Sequence, residues 1–152
     1  KLIRHLRHLI LVILLIFGIS YSYSFSYVYQ GSTFDCNVIN NNEVSVRLVS
    51  CTTGNVNVPS TVIHEYYENS ELIRHYYTVV EFSKAFLWED PYEIVSVTLP
   101  FSIRTIGDGA FYGCSSLISV AMPNVWTIGS KAFRECSSLA SVTMPNVQTI
   151  GG

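Results

Sequence analysis

Apolar residues recur in this chain with two periods, one of 22 residues late in the chain and one of two residues in short runs before it. Residues 105–126 read TIGDGAFYGCSSLISVAMPNVW and residues 127–148 read TIGSKAFRECSSLASVTMPNVQ. Thr105 returns as Thr127, Phe111 as Phe133, Cys114 as Cys136, Leu117 as Leu139, Val120 as Val142 and Pro123 as Pro145, and a third copy starts at Thr149. A fixed period in the twenties is the mark of stacked structural units. Within one unit, Val120 and Met122 alternate as a short strand does and point inward with Leu117. Pro123 ends the strand because it lacks a donor. Val125 and Ile128 form a second inward pair, and Gly107 and Gly129 turn the chain. Ala110 and Phe111 are expected in a short helical or 3₁₀ turn, with Phe111 as the large core filler. Successive strands should pair in parallel and bring Val97, Val120 and Val142 into one inner column.

Upstream, the period of two dominates. Residues 33–39 and 43–49 flank Asn40, Asn41 and Asn42 and read as a β-hairpin. Val44, Val46 and Leu48 alternate with Ser45, Arg47 and Val49, giving one buried face. Val56-Asn57-Val58-Pro59 matches Val97-Thr98-Leu99-Pro100 and reads as the first, degenerate strand of the array. Residues 63–80 are rich in Tyr and Glu and read as an insertion loop leading into a strand at 76–80. Ser83-Lys84-Ala85-Phe86 matches Ser130-Lys131-Ala132-Phe133, which makes Phe86 the counterpart of Phe111. A two-residue insertion is placed around Trp88-Glu89-Asp90-Pro91, and a one-residue insertion between Pro100 and Thr105.

The start of the chain changes the picture. Lys1, Arg4 and Arg7 precede an apolar run at 9–19, and small residues follow at every second position to Ser26. Basic, then apolar, then small is the order of a secretory signal peptide, with cleavage expected after Ser22, Ser24 or Ser26. An uncleaved signal anchor is the competing reading. The organisation expected is therefore a signal peptide or signal anchor at 1–26, a β-hairpin N-terminal cap at 27–53, degenerate repeats at 54–95 and regular repeats at 96–152. The chain opens on Lys and stops inside a repeat, so it reads as a piece of a longer array.

The chain carries a net charge of −2, with 9 basic and 11 acidic residues. Setting aside the three basic residues of the leader leaves a mildly acidic body with no Lys/Arg cluster, which argues against nucleic acid and anionic lipid as partners. A membrane would be met only through an uncleaved leader or a C-terminal anchor.

The residues Ile106-Gly107, Ala110-Phe111, Cys114-Ser115-Ser116-Leu117, Ser119-Val120 and Met122-Pro123, with their equivalents from Ile128 to Pro145, resemble the BspA-type leucine-rich repeat of bacterial and protist surface proteins. The resemblance covers residues 54–152, strongly after 96. It implies an α/β solenoid, a right-handed coil of short parallel strands and short helical or 3₁₀ turns behind the hairpin cap. It also implies a non-enzymatic, secreted or cell-surface protein on the extracellular side. Its role would be adhesion or interaction with a protein or host-cell surface ligand. A docking module of a larger secreted enzyme and a structural spacer are the alternatives.

Residues that suggest chemistry are few. His64-Glu65-Tyr66-Tyr67-Glu68 begins like a zinc-protease helix, but Glu68 stands where the second His belongs. Glu65, Glu68, Glu71 and Glu81 read as a charged surface rather than paired catalytic carboxylates. No metal, cofactor or catalytic residue is expected. Cys114 and Cys136 occupy equivalent places in adjacent units and read as free core fillers. Cys36 and Cys51 flank the hairpin, and export would allow a disulfide between them. The binding positions expected are the outward ones of the parallel strands: Ser96, Thr98, Ser119, Ala121, Ser141 and Thr143. They are small and hydroxyl-rich, and a repeat array can present such a face to an extended partner.

Overall fold

The computed structural model describes residues 24–51, 54–85 and 94–152. The basic and apolar stretch of the expected leader, Phe86, and the expected insertion at 88–91 lie outside them. Among the described residues the chain is built of strands and turns. The strands are β1 (Ser24–Tyr29), β2 (Ser32–Val38), β3 (Glu43–Cys51), β4 (Asn55–Asn57), β5 (Thr61–Glu68) and β6 (Glu71–Ala85). They continue as β7 (Ser96–Thr98), β8 (Thr105–Ile106), β9 (Ser119–Ala121), β10 (Thr127–Ile128), β11 (Ser141–Thr143) and β12 (Thr149–Ile150). One sheet runs β1-β2-β3-β6-β8-β10-β12, with β5 also on β6, and a four-stranded sheet runs β11-β9-β7-β4.

The repeats stack in parallel. Val56, Val97, Val120 and Val142 pair in sequence across the smaller sheet, so the expected inner column forms and begins at the degenerate Val56. In the larger sheet Phe82, Ile106, Ile128 and Ile150 pair in the same way. Burial along this second column falls at the last repeat: Ile106 is 0% exposed, Ile128 3% and Ile150 62%.

The expected helical or 3₁₀ segment is a run of turns, and no helix occurs among the described residues. Its hydrogen bonds give the reason. The N–H groups of Ala110, Tyr112 and Cys114 donate three residues back, to Gly107, Gly109 and Phe111. Those of Gly109, Phe111 and Gly113 donate instead to Ser130, Ala132 and Arg134 of the next repeat, at 2.8–2.9 Å. A helix would direct every N–H along its own axis; here alternate donors join the repeats. Gly109 and Gly113 hold this zigzag with φ of 60° and 75°, and Lys131 and Glu135 adopt the same left-handed conformation one repeat later, at 57° and 64°.

The ring stacked on Phe111 is Phe82, at 4.9 Å between centroids, and Phe133 continues the stack at 5.2 Å. Ser83 accordingly lies against Gly107, whose added Cβ would stand 2.6 Å from the Ser83 carbonyl oxygen. β6 is one unbroken strand through Ala85, and Phe86, the expected counterpart of Phe111, lies outside the described residues. The strand expected at 76–80 forms within β6, and the insertion loop expected before it is a hairpin instead. β5 and β6 pair antiparallel from Thr61↔Thr78 to Glu68↔Glu71. Asn69 and Ser70 both have positive φ, as a two-residue type I′ turn requires.

The expected hairpin at 33–49 is present as β2 and β3, closed by Asn40, whose Oδ1 accepts the N–H of Asn42 at 2.9 Å. A further strand, β1, joins it through a second type I′ turn at Gln30 and Gly31. Of the three expected cleavage positions, only the one after Ser22 leaves β1 whole. The alternation of Ser with Phe25, Tyr27 and Tyr29 was its signal: the aromatic residues are half-buried and the others exposed. β1 and β5 sit at opposite ends of the set β1-β2-β3-β6-β5, yet Phe25 stacks on His64 at 4.6 Å. The sheet therefore curls, and its interior holds Phe34, Cys36, Val44, Val46, Leu48, Val62, Tyr77 and Val79.

Candidate functional site: the outward face of the four-stranded sheet

Three-residue strands whose middle residue is buried, or partly buried in β11, leave two outward positions each. Stacking in register makes these into two columns. One is Asn55, Ser96, Ser119 and Ser141; the other is Asn57, Thr98, Ala121 and Thr143. All six expected positions are thus brought together on one surface. Asn55 and Asn57 extend it, and the degenerate strand match at Val56 was the signal for them. The face carries no charged side chain. Its polar groups partly satisfy one another: Ser96 Oγ donates to Asn55 Oδ1 at 2.8 Å, and Asn57 Nδ2 donates to Gln30 Oε1 at 2.9 Å. The second contact fastens the β1–β2 turn to the end of the face.

Apolar side chains border these columns. Val95 and Ile118 precede the strands and are exposed, with the Ile118 N–H on the Val95 carbonyl at 2.8 Å. After the strands, Phe101 and Trp126 are exposed at the turn into the larger sheet, and the Arg104 guanidinium lies 5.5 Å from the centre of the Trp126 ring. Asn124 and Asn146 tie that corner together. Each donates from Nδ2 to a carbonyl of the preceding repeat at 2.8 Å, Asn124 to Phe101 and Asn146 to Pro123. The sequence reading missed this border, because the 22-residue pattern marks what repeats and Phe101, Arg104 and Trp126 do not.

The other candidates are dispersed. His64 and Glu65 are successive residues of a strand and so point to opposite faces: His64 stacks on Phe25, and Glu65 pairs with Arg74 at 2.6 Å. Glu68 and Glu71 face each other at the hairpin tip, and Glu81 lies between β3 and β8, paired with Ser45 and Thr105. Burial raises the Glu81 carboxyl above its ordinary range.

The cysteines are equally separate. Cys36 is a buried free thiol opposite Val46, whereas Cys51 lies at the far end of the ladder opposite Ser32. The expected Cys36–Cys51 disulfide is not made, since positions that far apart along one ladder exceed the Cα separation a bridge allows. Burial and the neighbouring Asp35 push the Cys36 thiol up to about 12. Burial and Cys136 do the same to Cys114, also to about 12. Cys136 donates its S–H to the Phe111 carbonyl, 3.0 Å away, so the stacked pair is present as free thiols.

The family model described as the BspA type leucine rich repeat region (6 copies) matches residues 82–152. Among solved structures the chain is similar to a leucine-rich cell surface protein of Faecalibacterium prausnitzii, with 26% identity and a TM-score of 0.61. That match covers 83% of this chain and 32% of the other. It is also similar to a leucine-rich repeat protein of Bacteroides ovatus, with 26% identity, a TM-score of 0.58 and coverage of 84% and 32%. The chain therefore spans about a third of the length of these two structures. No curated protein matches it.

Proposed function

From the match of residues 82–152 to the BspA-type leucine-rich repeat family model, we propose that this chain is a non-enzymatic, exported repeat protein that holds a protein ligand on the outward face of its four-stranded sheet. In this reading the parallel repeats wind as a right-handed solenoid. The curled β1-β2-β3-β6-β5 unit covers its first layer, and the leader carries it to the cell surface, where it serves adhesion. The observation that carries the proposal is the register of the face: Ser96, Ser119 and Ser141 in one column, Thr98, Ala121 and Thr143 in the next, uncharged and bordered by Val95, Ile118 and Trp126. Small polar residues inside an aromatic and Arg border suit a protein interface, where Trp and Arg are enriched among the residues that carry binding. The description of the Faecalibacterium relative as a cell surface protein supports the location.

The test is binding of the labelled chain to cultured epithelial cells, read by flow cytometry. Replacing Ser119, Ser141 and Thr143 together by Lys should weaken binding at least tenfold and leave the thermal midpoint unchanged, because all three are at the surface. Undiminished binding by that variant would remove the face from consideration.

A further inference from the structure

The β5–β6 hairpin has two faces of different character. Its type I′ turn fixes the register, and the register fixes which side chains share a face. Val62, His64, Tyr66, Ile73, His75 and Tyr77 form one side. It is held to the body by Phe25 on His64 and Tyr77, and by His75 Nε2 on the Asn41 carbonyl oxygen at 2.6 Å. The other side is built of three cross-strand pairs, Ile63↔Tyr76, Glu65↔Arg74 and Tyr67↔Leu72. Tyr67 is 72% exposed and Tyr76 58%. They occupy opposite ends of a diagonal, separated by roughly 13 Å along the strands, the rise of four residues. The Glu65–Arg74 ion pair fills the space between. The hydrogen bond to Glu65, and then that carboxylate's charge, raise the Arg74 guanidinium above its ordinary range.

We propose that this outward face binds a neutral polysaccharide, with Tyr67 and Tyr76 as stacking platforms and Glu65 and Arg74 as hydrogen-bonding partners for sugar hydroxyls between them. The ion pair decides among occupants. It closes the charge of the face, so neither a polyanion nor a polycation is drawn to it. A protein surface would have to strip water from both ions, which are half-exposed, at a cost their mutual attraction repays only in excellent geometry. A sugar instead replaces the lost waters with its own hydroxyls, and hydrogen bonds to charged partners are the stronger kind. Tyr matches the same chemistry, with a flat apolar ring for C–H contacts and a polar tip left in water. The proposal uses the hairpin alone and is independent of the sheet face proposed above.

Affinity electrophoresis of the full chain tests it, in native gels containing a soluble β-glucan, a galactomannan or an α-mannan. Retardation is expected in at least one gel. It should be lost, with at least a tenfold weaker apparent affinity, when Tyr67 and Tyr76 are both replaced by Ala. The Tyr67→Phe, Tyr76→Phe variant keeps both platforms and should still be retarded, which separates loss of stacking from loss of folding. The triple Lys variant of the sheet face should run like the unaltered chain. Migration unchanged in all three gels would overturn the proposal, as would retardation that survives the double Ala variant or appears only with anionic hyaluronan.

Discussion

In the repeats, β7, β9 and β11 pair residue for residue at a constant register, whereas β3 meets β6 only through two register shifts, after Val44 and after Val46. The difference comes from what each strand has for a neighbour. A repeat meets a near copy of itself, so any side chain that suits its own layer also suits the next. Phe stacks on Phe, Val on Val, and each Gly of the column 107, 129 and 151 admits the preceding repeat at close range. The unit at 24–85 has no such copies. Its pairing is set one hairpin at a time, by turns at Gln30-Gly31 and Asn69-Ser70 and by local contacts such as the Arg47–Asp35 ion pair. β6 joins the two regimes, with its first half in a hairpin and its second half parallel to β3 and β8.

The largest effect is expected where the repeats share a side chain. Phe111 lies between Phe82 and Phe133 and is fully buried. Phe111→Ala should lower unfolding stability by about 3–5 kcal/mol. The same change at Phe133, which is only partly buried, should cost about 1–2 kcal/mol. Equal losses in denaturant titrations would mean that stacking does not couple the repeats.

Glycine positions sharpen the comparison at the next level. A Cβ on Gly129 would stand 2.5 Å from the Asp108 backbone nitrogen. Gly129→Ala should therefore cost about 1–3 kcal/mol through overpacking. Lys131 is the reverse case, an L-residue at φ 57° where the preceding repeat has Gly109. Relief of roughly 1–2 kcal/mol of left-handed strain, less roughly 0.5–1 kcal/mol of glycine chain entropy, leaves Lys131→Gly neutral to stabilising, by up to about 1.5 kcal/mol. A lower melting temperature for Lys131→Gly would contradict the repeat geometry at the turn.

The smallest effect belongs to the junction. Glu81 is half-buried where β6 passes from one regime to the other, and burial raises its carboxyl pKa. An acid with a raised folded pKa favours the folded state while protonated. Its contribution is present below the ordinary carboxylate pKa and is lost as pH rises through the raised value. Glu81→Gln should flatten stability against pH in the weakly acidic range and leave the neutral-pH protein slightly more stable. An unchanged pH profile would show that the carboxyl is solvated in the folded state.

Along the repeats the sequence by itself determined the inner columns, the parallel pairing and the six outward face positions. There the local pattern and the long-range contact are one statement: a residue 22 or 23 positions away is also the spatial neighbour. Tertiary structure decided the rest. Only the uninterrupted course of β6 brings Phe82 onto Phe111. Only the curl of the sheet brings Phe25 onto His64 and gives the β5–β6 hairpin an inner and an outer face, since alternation says that two sides differ but not which one the body covers. The border of the proposed binding face was equally hidden, because Phe101, Arg104 and Trp126 are neighbours through stacking and share no motif. Repetition writes the scaffold into the chain, and the residues that break the repetition acquire their surroundings only when it folds.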